Sequence, residues 1–124
     1  MLIGIAIVTD AKKLKALPTN LFLIAERLRP GMPVAQRAGF VFASSRLDYF
    51  TGQQHAHVEA MAVAKAHEGC GVAQALLAAS EEWGRARGYE FVTLNVWSQN
   101  TRARGVYERL GWQPETLHLR KGLK

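Results

Sequence analysis

The stretch Val63-Ala-Lys-Ala-His-Glu-Gly-Cys-Gly-Val-Ala-Gln-Ala-Leu-Leu77 decides how the chain is read. Strand-compatible residues enter it, Gly69 and Gly71 lie in its middle, and an apolar pattern of helical period leaves it. It reads as a strand end, a short loop and the first turns of an amphipathic helix. Gly69, Gly71 and the small Ala73 leave the backbone uncovered where the helix begins. First-turn N–H groups have no partner within a helix and carry partial positive charge, which suits such a loop to a phosphate. Small residues let a diphosphate come close to the main chain. The same stretch also fits a strand-to-helix turn with no ligand, because short glycine motifs recur widely. The Lys-Ser/Thr that completes a P-loop and the three-glycine dinucleotide pattern are both missing, which argues against nucleoside triphosphates.

Working outward, the segment from Val72 to Arg87 places Ala73, Leu76, Leu77, Ser80, Trp83 and Gly84 on one helical stripe. Glu81 and Arg85 form an i,i+4 pair on its wet side, and Gly88 stops it. At ~1.5 Å per residue the helix covers one face of a small sheet. Phe91–Trp97 follows as a strand, Asn100–Leu110 as a helix and Trp112–Leu119 as a last strand. Upstream, Leu2–Val8 reads as a strand, and Asp10 caps a short helix, Ala11–Leu17, that Pro18 ends. Leu21–Ala25, Ala38–Ser44 running on through Leu47–Phe50, and His55–Ala64 are further strands. They are separated by turns at Arg29–Pro33 and Thr51–Gln54, without helices, which predicts an antiparallel meander. Strand–helix–strand–helix–strand after a meander predicts an α+β (mixed α/β) sheet with helices packed on it.

A chain of 124 residues is one domain, 1–124, with room for a single core. Its 48% hydrophobic and 21% charged content is that of an ordinary globular protein. No apolar run approaches the ~18 residues of a membrane span, and the start lacks a basic leader and cleavage site. A cytoplasmic location, with no membrane contact, is the expectation. A single cysteine, Cys70, gives no internal disulfide and no thiolate cluster. The pair His55-x-His57 fits either two polar side chains on one strand face or a partial metal site, and no metal is expected. The formal charge of +6 makes acidic partners and cofactor phosphates plausible. Nothing resembles a basic run or an aromatic–basic RNA-binding sheet, which argues against nucleic acid.

Three features stand in one order: the glutamate-bearing strand, the loop Glu68-Gly-Cys-Gly71-Val-Ala73, and Asn100-x-x-Ala103-x-x-x-Tyr107-x-x-Leu110-Gly111-Trp112. Here the chain, from about Val58 to Trp112, resembles the GNAT superfamily of acyl-CoA-dependent N-acyltransferases. That family's loop reads Arg/Gln-x-x-Gly-x-Gly/Ala, and its later pattern Asn-x-x-Ala-x-x-x-Tyr-x-x-x-Gly-Phe/Trp is met throughout. The resemblance implies a central, mostly antiparallel sheet splayed between strands 4 and 5, with helices on both faces. It implies acetyl-CoA in the splay, its diphosphate on the loop from Glu68, Gly69 and Cys70 to Gly71, Val72 and Ala73. The pantetheine arm would pair with Met61, Ala62 and Val63. Asn95, Asn100, Ala103 and Tyr107 would line the far side. It further implies that an acetyl group passes to an amine acceptor, either a small molecule or a protein or peptide, by direct attack, with a strand-4 N–H near Ala62 or Val63 on the oxyanion.

Tyr107 matches the family's general acid. A tyrosine with pKa about 10 is a poor proton donor to a thiolate near 8.5, so a hydrogen bond to the departing sulfur is the expected role. Asn100 fits a helix cap and a cofactor contact equally. Glu59 is the candidate base. Strand alternation puts His55, His57, Glu59, Met61 and Val63 on one face. An amine of pKa about 10.4 holds its proton at neutral pH at a cost of roughly 4.6 kcal/mol to remove. A carboxylate beside the acetyl group can accept that proton, or can simply attract the ammonium ion. His57 is the runner-up, for a pKa near neutrality. Two departures stand out. Glu68 replaces the usual Arg or Gln near the diphosphate, and the region after strand 1 has room for one short helix where relatives carry two. A shortened front suits a protein acceptor or completion by a second subunit in a homodimer. A CoA-binding sensor without catalysis is the alternative function, and a basic nucleic-acid module the third.

Overall fold

The two long strands β3 (Gln36–Leu47) and β4 (Gln54–Val63) form a hairpin closed by Asp48. Its N–H donates to the Gln53 carbonyl at 2.8 Å, and its carboxylate accepts from the Phe50 N–H at 2.9 Å. The computed structural model describes residues 4–7, 20–28, 31 and 34–124. Within these, β1 (Gly4–Ile7), β2 (Asn20–Leu28), β3 and β4 pair antiparallel in chain order. β5 (Val92–Leu94) adds parallel to β4, completing a five-stranded mixed sheet in the order β1-β2-β3-β4-β5. The meander and the α+β class follow the sequence. The helix expected at Ala11–Leu17 lies outside the described residues, as does most of the Arg29–Pro33 turn.

Helix α1 (Val72–Ala86) packs on one face of the sheet. Its stripe of Val72, Leu76, Leu77, Ser80, Trp83 and Gly84 is buried against Leu21, Leu23 and Ala25 of β2, Val41 and Ala43 of β3, and Ala56 and Val58 of β4. The expected stripe holds except at its first member, where Val72 rather than Ala73 is fully covered. The Arg85 guanidinium pairs with Glu82 at 3.4 Å and not with Glu81, because Glu82 is on the exposed side and Glu81 is half-buried. Helix α2 (Thr101–Arg109) lays Tyr107 against the same core, followed by Leu110 and Trp112. Opposite α1, Phe22 and Phe40 stack with ring centroids 5.8 Å apart.

Two expected strands are shorter or absent. The ladder of β5 ends at Leu94, not Trp97, because β4 offers it no partner past Val58. The final strand at Trp112–Leu119 does not form. Leu117 and Leu119 are 88% and 85% exposed, and Pro114 removes a donor that a ladder requires.

The irregularity in β4 reorganises the site. Phe42 faces Ala60 and Ala43 faces Val58, so Glu59 is an extra residue with no partner, a β-bulge. A bulge inverts the alternation beyond it. His55 and His57 pair with Arg46 and Ser44, on the face away from α1. Met61 pairs with Val41 and Val63 with Gly39, on the α1 face, and both pack against the core. The expectation that His57, Glu59, Met61 and Val63 share one face is therefore corrected.

Candidate functional site

Because β4 and β5 run parallel, the segments that leave their carboxyl ends start from the same end of the sheet, the position where ligands lodge in open α/β sheets. Pairing between these strands covers only Ala56–Val58 and Val92–Leu94. From Glu59 onward they part and leave a cleft.

The β4 side of the cleft is a strand edge. The Ala64 N–H donates to Ala38 on β3 at 2.7 Å. Backbone groups alternate sides along an antiparallel strand, so Ala62 turns to β3 while Met61 and Val63 turn their N–H and C=O groups to the cleft. Close packing fixes this arrangement: a Cβ added to Gly39 would lie 2.5 Å from the Ala62 carbonyl oxygen. Of the expected pantetheine and oxyanion contacts, Met61 and Val63 thus present free backbone groups, and Ala62 presents only an exposed methyl on the opposite face.

The loop after β4 makes one 3-10 turn at Lys65–His67, with His67 buried beside the Arg27 guanidinium at 3.3 Å. The sign of φ then alternates: Gly69 has φ 73°, Cys70 a negative φ, Gly71 φ 85°, and Val72 begins α1. An alternation of this kind is the backbone pattern of an anion nest, in which successive N–H groups point into one concavity. No side chain caps α1, so its first-turn N–H groups open into that concavity. Gly69, Cys70 and Gly71 are exposed, and Ala73 is half-buried. Cys70 Sγ lies 3.5 Å from the Glu68 carbonyl oxygen.

Glu68 does not hang over the loop alone. Its carboxylate accepts from Arg102 Nη2 at 3.0 Å, across the mouth of the cleft from the first turn of α2. Asn100 resolves as a cap: its side-chain oxygen accepts from the Ala103 N–H at 3.1 Å. Asn95 is exposed just past the end of β5. Tyr107, seven residues along α2, is half-buried with its ring 6.1 Å from Trp112, and burial raises its phenol pKa above the usual value.

The other face carries the proton-active groups. Glu59 accepts from Arg46 Nε at 2.7 Å and Nη2 at 2.6 Å, and from Ser44 Oγ at 2.6 Å. The Arg46 guanidinium, helped by the Ser44 hydroxyl, holds its carboxyl down at about 2. His57 is 6% exposed, with Nδ1 2.7 Å from Thr93 Oγ1. Burial first, then the charge of Arg46, lowers its pKa below 6.5, so its ring is neutral at pH 7. His55 stacks on Phe91 at 4.7 Å. Among the described residues no group of three His, Cys, Asp or Glu side chains could hold a metal ion. Arg46, Ser44, Thr93 and Arg102 were not singled out from sequence. The hairpin turn at Thr51–Gln54 was the available signal for Ser44 and Arg46, since its register brings them opposite His57 and His55.

Comparison with known proteins adds an independent line. The family described as Acetyltransferase (GNAT) family matches residues 13–112. A protein from Pyrococcus furiosus assigned as an acetyl transferase superposes with a TM-score of 0.73 at 27% identity, over 90% of this chain and 71% of that one. The aminoglycoside N-acetyltransferase AAC(6')-Iy in complex with CoA superposes with a TM-score of 0.58 at 28% identity, over 80% and 76% of the chains. With a bisubstrate analog, CoA-S-monomethyl-acetylneamine, the same enzyme gives 0.68 at 20% identity over 98% and 99%, a likeness of fold alone. Among curated proteins, none matches the chain.

Proposed function

Since the chain belongs to the acetyltransferase (GNAT) family, we propose that it transfers an acetyl group from acetyl-CoA to a primary amine by direct attack. The observation that carries this reading is the nest of alternating handedness at Gly69–Gly71, opening onto an uncapped helix start beside the parted strands. Backbone N–H groups from Gly69 to Ala73 fit a diphosphate. The edge of β4 at Met61 and Val63 fits the amide-bearing arm, whose groups would satisfy the strand's own N–H and C=O. That the neighbour AAC(6')-Iy forms a complex with CoA supports CoA as the ligand.

When bound, the thioester supplies an electrophilic carbonyl: the C–N bond forms, the C–S bond breaks, and the amine loses one proton. The Met61 or Val63 N–H faces the cleft and stabilises charge developing on the carbonyl oxygen. Tyr107 donates a hydrogen bond to the departing sulfur. Its raised pKa disfavours full proton transfer from it. Glu59 at about 2 is a weak base, and its assigned role is to fix Arg46 and keep negative charge on the acceptor face. The proton-accepting role passes to His57. We assign the tautomer in which Nδ1–H donates to Thr93 Oγ1, 2.7 Å away, which leaves the Nε2 lone pair for the amine proton. The acceptor is an amine of a small molecule or a peptide; the protein works in the cytoplasm, with a homodimer completing the front.

The test is calorimetric titration with acetyl-CoA, followed by an amine panel read by thiol release. Saturable binding and turnover on at least one amine support the reading. Saturable binding with no turnover on any amine favours the sensor, and no binding removes the cofactor altogether.

A further inference from the structure

The ion pair between Glu68 and Arg102 joins the two sides of the cleft at its mouth. Glu68 stands on the loop after β4, directly before Gly69, and Arg102 in the first turn of α2 after β5. The side chains are 38% and 74% exposed, so the pair is wet and exchangeable. Its setting is electrostatically unusual. The positive end of a helix dipole favours acids, yet α2 opens with Arg102 and Arg104 and has no acid in its first turn. The first turn of α1 also has none. Arg104 is turned away, donating to the Ser98 carbonyl at 2.9 Å, whereas the only partner of Arg102 among the described residues is Glu68. A carboxylate one residue before the loop glycines is thus held by a guanidinium from the first turn of the other helix. Glu68 directly precedes the Gly69–Gly71 loop in the chain, so the pair sits beside the proposed diphosphate site.

We propose that Glu68 is a resident competitor for the cofactor's phosphate site: the diphosphate displaces its carboxylate from Arg102, and Arg102 then binds the diphosphate. This rests on the acetyl-CoA reading above and adds to it a phosphate-binding residue on α2. A guanidinium meets a phosphate with charge-assisted and often bidentate hydrogen bonds, stronger than a single contact to an exposed carboxylate. The cation that phosphate binding calls for is therefore supplied from across the cleft, while the loop position itself carries the group that must leave. The pair also explains how the loop tolerates an acid beside an anion site. Before binding, the carboxylate is neutralised by Arg102; afterwards it is released to solvent.

The test is a double-mutant cycle read by calorimetric titration with CoA, with 3′-dephospho-CoA in parallel, each variant first checked for an unchanged melting temperature. Arg102→Ala should weaken CoA about tenfold, and Glu68→Gln should tighten it about threefold. In the Arg102→Ala background, Glu68→Gln should change nothing, because there is no guanidinium left to compete for. The Arg102→Ala loss should persist with 3′-dephospho-CoA. If Glu68→Gln tightens binding as much without Arg102, the carboxylate acts by direct repulsion and the competition is overturned. If the Arg102 loss vanishes with 3′-dephospho-CoA, the diphosphate is not its partner. If the native chain binds CoA and Arg102→Ala binds it equally well, this inference falls while the cofactor reading stands. If the native chain binds no CoA, both fall.

Discussion

Arg46 grips Glu59 through two hydrogen bonds, Nε to Oε1 at 2.7 Å and Nη2 to Oε2 at 2.6 Å, at the bulge where β4 leaves β5. The contact holds this carboxylate in its ionised form. A carboxyl held at about 2 is an anion at every physiological pH and has little affinity for an amine's proton. It is instead a fixed negative end to a strand-spanning clamp.

The clamp predicts acid behaviour. The carboxyl is lowered from 4.5 to about 2 on folding, so its contribution to stability is complete above pH 4.5 and is lost as pH falls toward 2. Glu59→Gln should therefore flatten the fall in melting temperature between about pH 5 and pH 2 while lowering it modestly at pH 7. Because Arg46 is half exposed, the loss at pH 7 should be no more than ~1 kcal/mol. Melting followed by circular dichroism across that range measures it, and an unaltered acid limb in the variant refutes the clamp.

His57 predicts the pH dependence of the chemistry. Its pKa is lowered, so it loses its proton at a pH below 6.5 and is ready to accept one above that point. At saturating acceptor, kcat should rise with pH through an inflection below 6.5 and then level. His57→Ala should remove that inflection, and Arg46→Ala should move it upward by deleting a neighbouring positive charge. An inflection unchanged in His57→Ala assigns the proton to another group.

Tyr107 predicts a loss in the chemical step. In the proposed transfer its hydroxyl donates a hydrogen bond to a sulfur that becomes anionic, and such bonds to charged partners are worth ~1.5–3 kcal/mol. Tyr107→Phe should lower kcat by roughly tenfold to a hundredfold with a small change in KM for acetyl-CoA. The phenyl ring keeps the packing against Trp112, so the fold should survive. A fall in binding with kcat intact would make the tyrosine a packing residue.

Much of this arrangement is legible in the sequence because it is local. The stripe from Leu76 to Gly84 and the turn at the loop glycines follow from period and backbone freedom and stand as read, and of the two roles open to Asn100 the structure shows the cap. What was not legible is tertiary. One extra residue at Glu59 inverts strand alternation and sends Met61 and Val63 to the other face, and no propensity at Val58-Glu-Ala60 announces it. The Arg46–Glu59 and Glu68–Arg102 pairs join residues 13 and 34 positions apart, numbers fixed only once the hairpin register and the β4–β5 crossover exist. The strand expected at Trp112–Leu119 had adequate side chains after Pro114 but no neighbour to pair with, and a strand without a ladder does not persist.

Gly71 provides the sharpest separation of stability from binding. Its φ of 85° is left-handed, where a Cβ costs ~1–2 kcal/mol, so Gly71→Ala should lower the melting temperature by roughly 4–8 °C. Gly88, at the far end of α1, has φ 76° and no atom within 4 Å of its would-be Cβ, so Gly88→Ala carries the same backbone penalty away from the cleft. The two variants should melt alike. Only Gly71→Ala should also weaken CoA, by about tenfold or more, because a relaxed φ at Gly71 turns the nest's N–H groups apart. Titration of both variants at a temperature where each is fully folded decides the matter. Equal CoA affinity in Gly71→Ala and Gly88→Ala would show that the loop's handedness serves the chain reversal into α1 and not the anion.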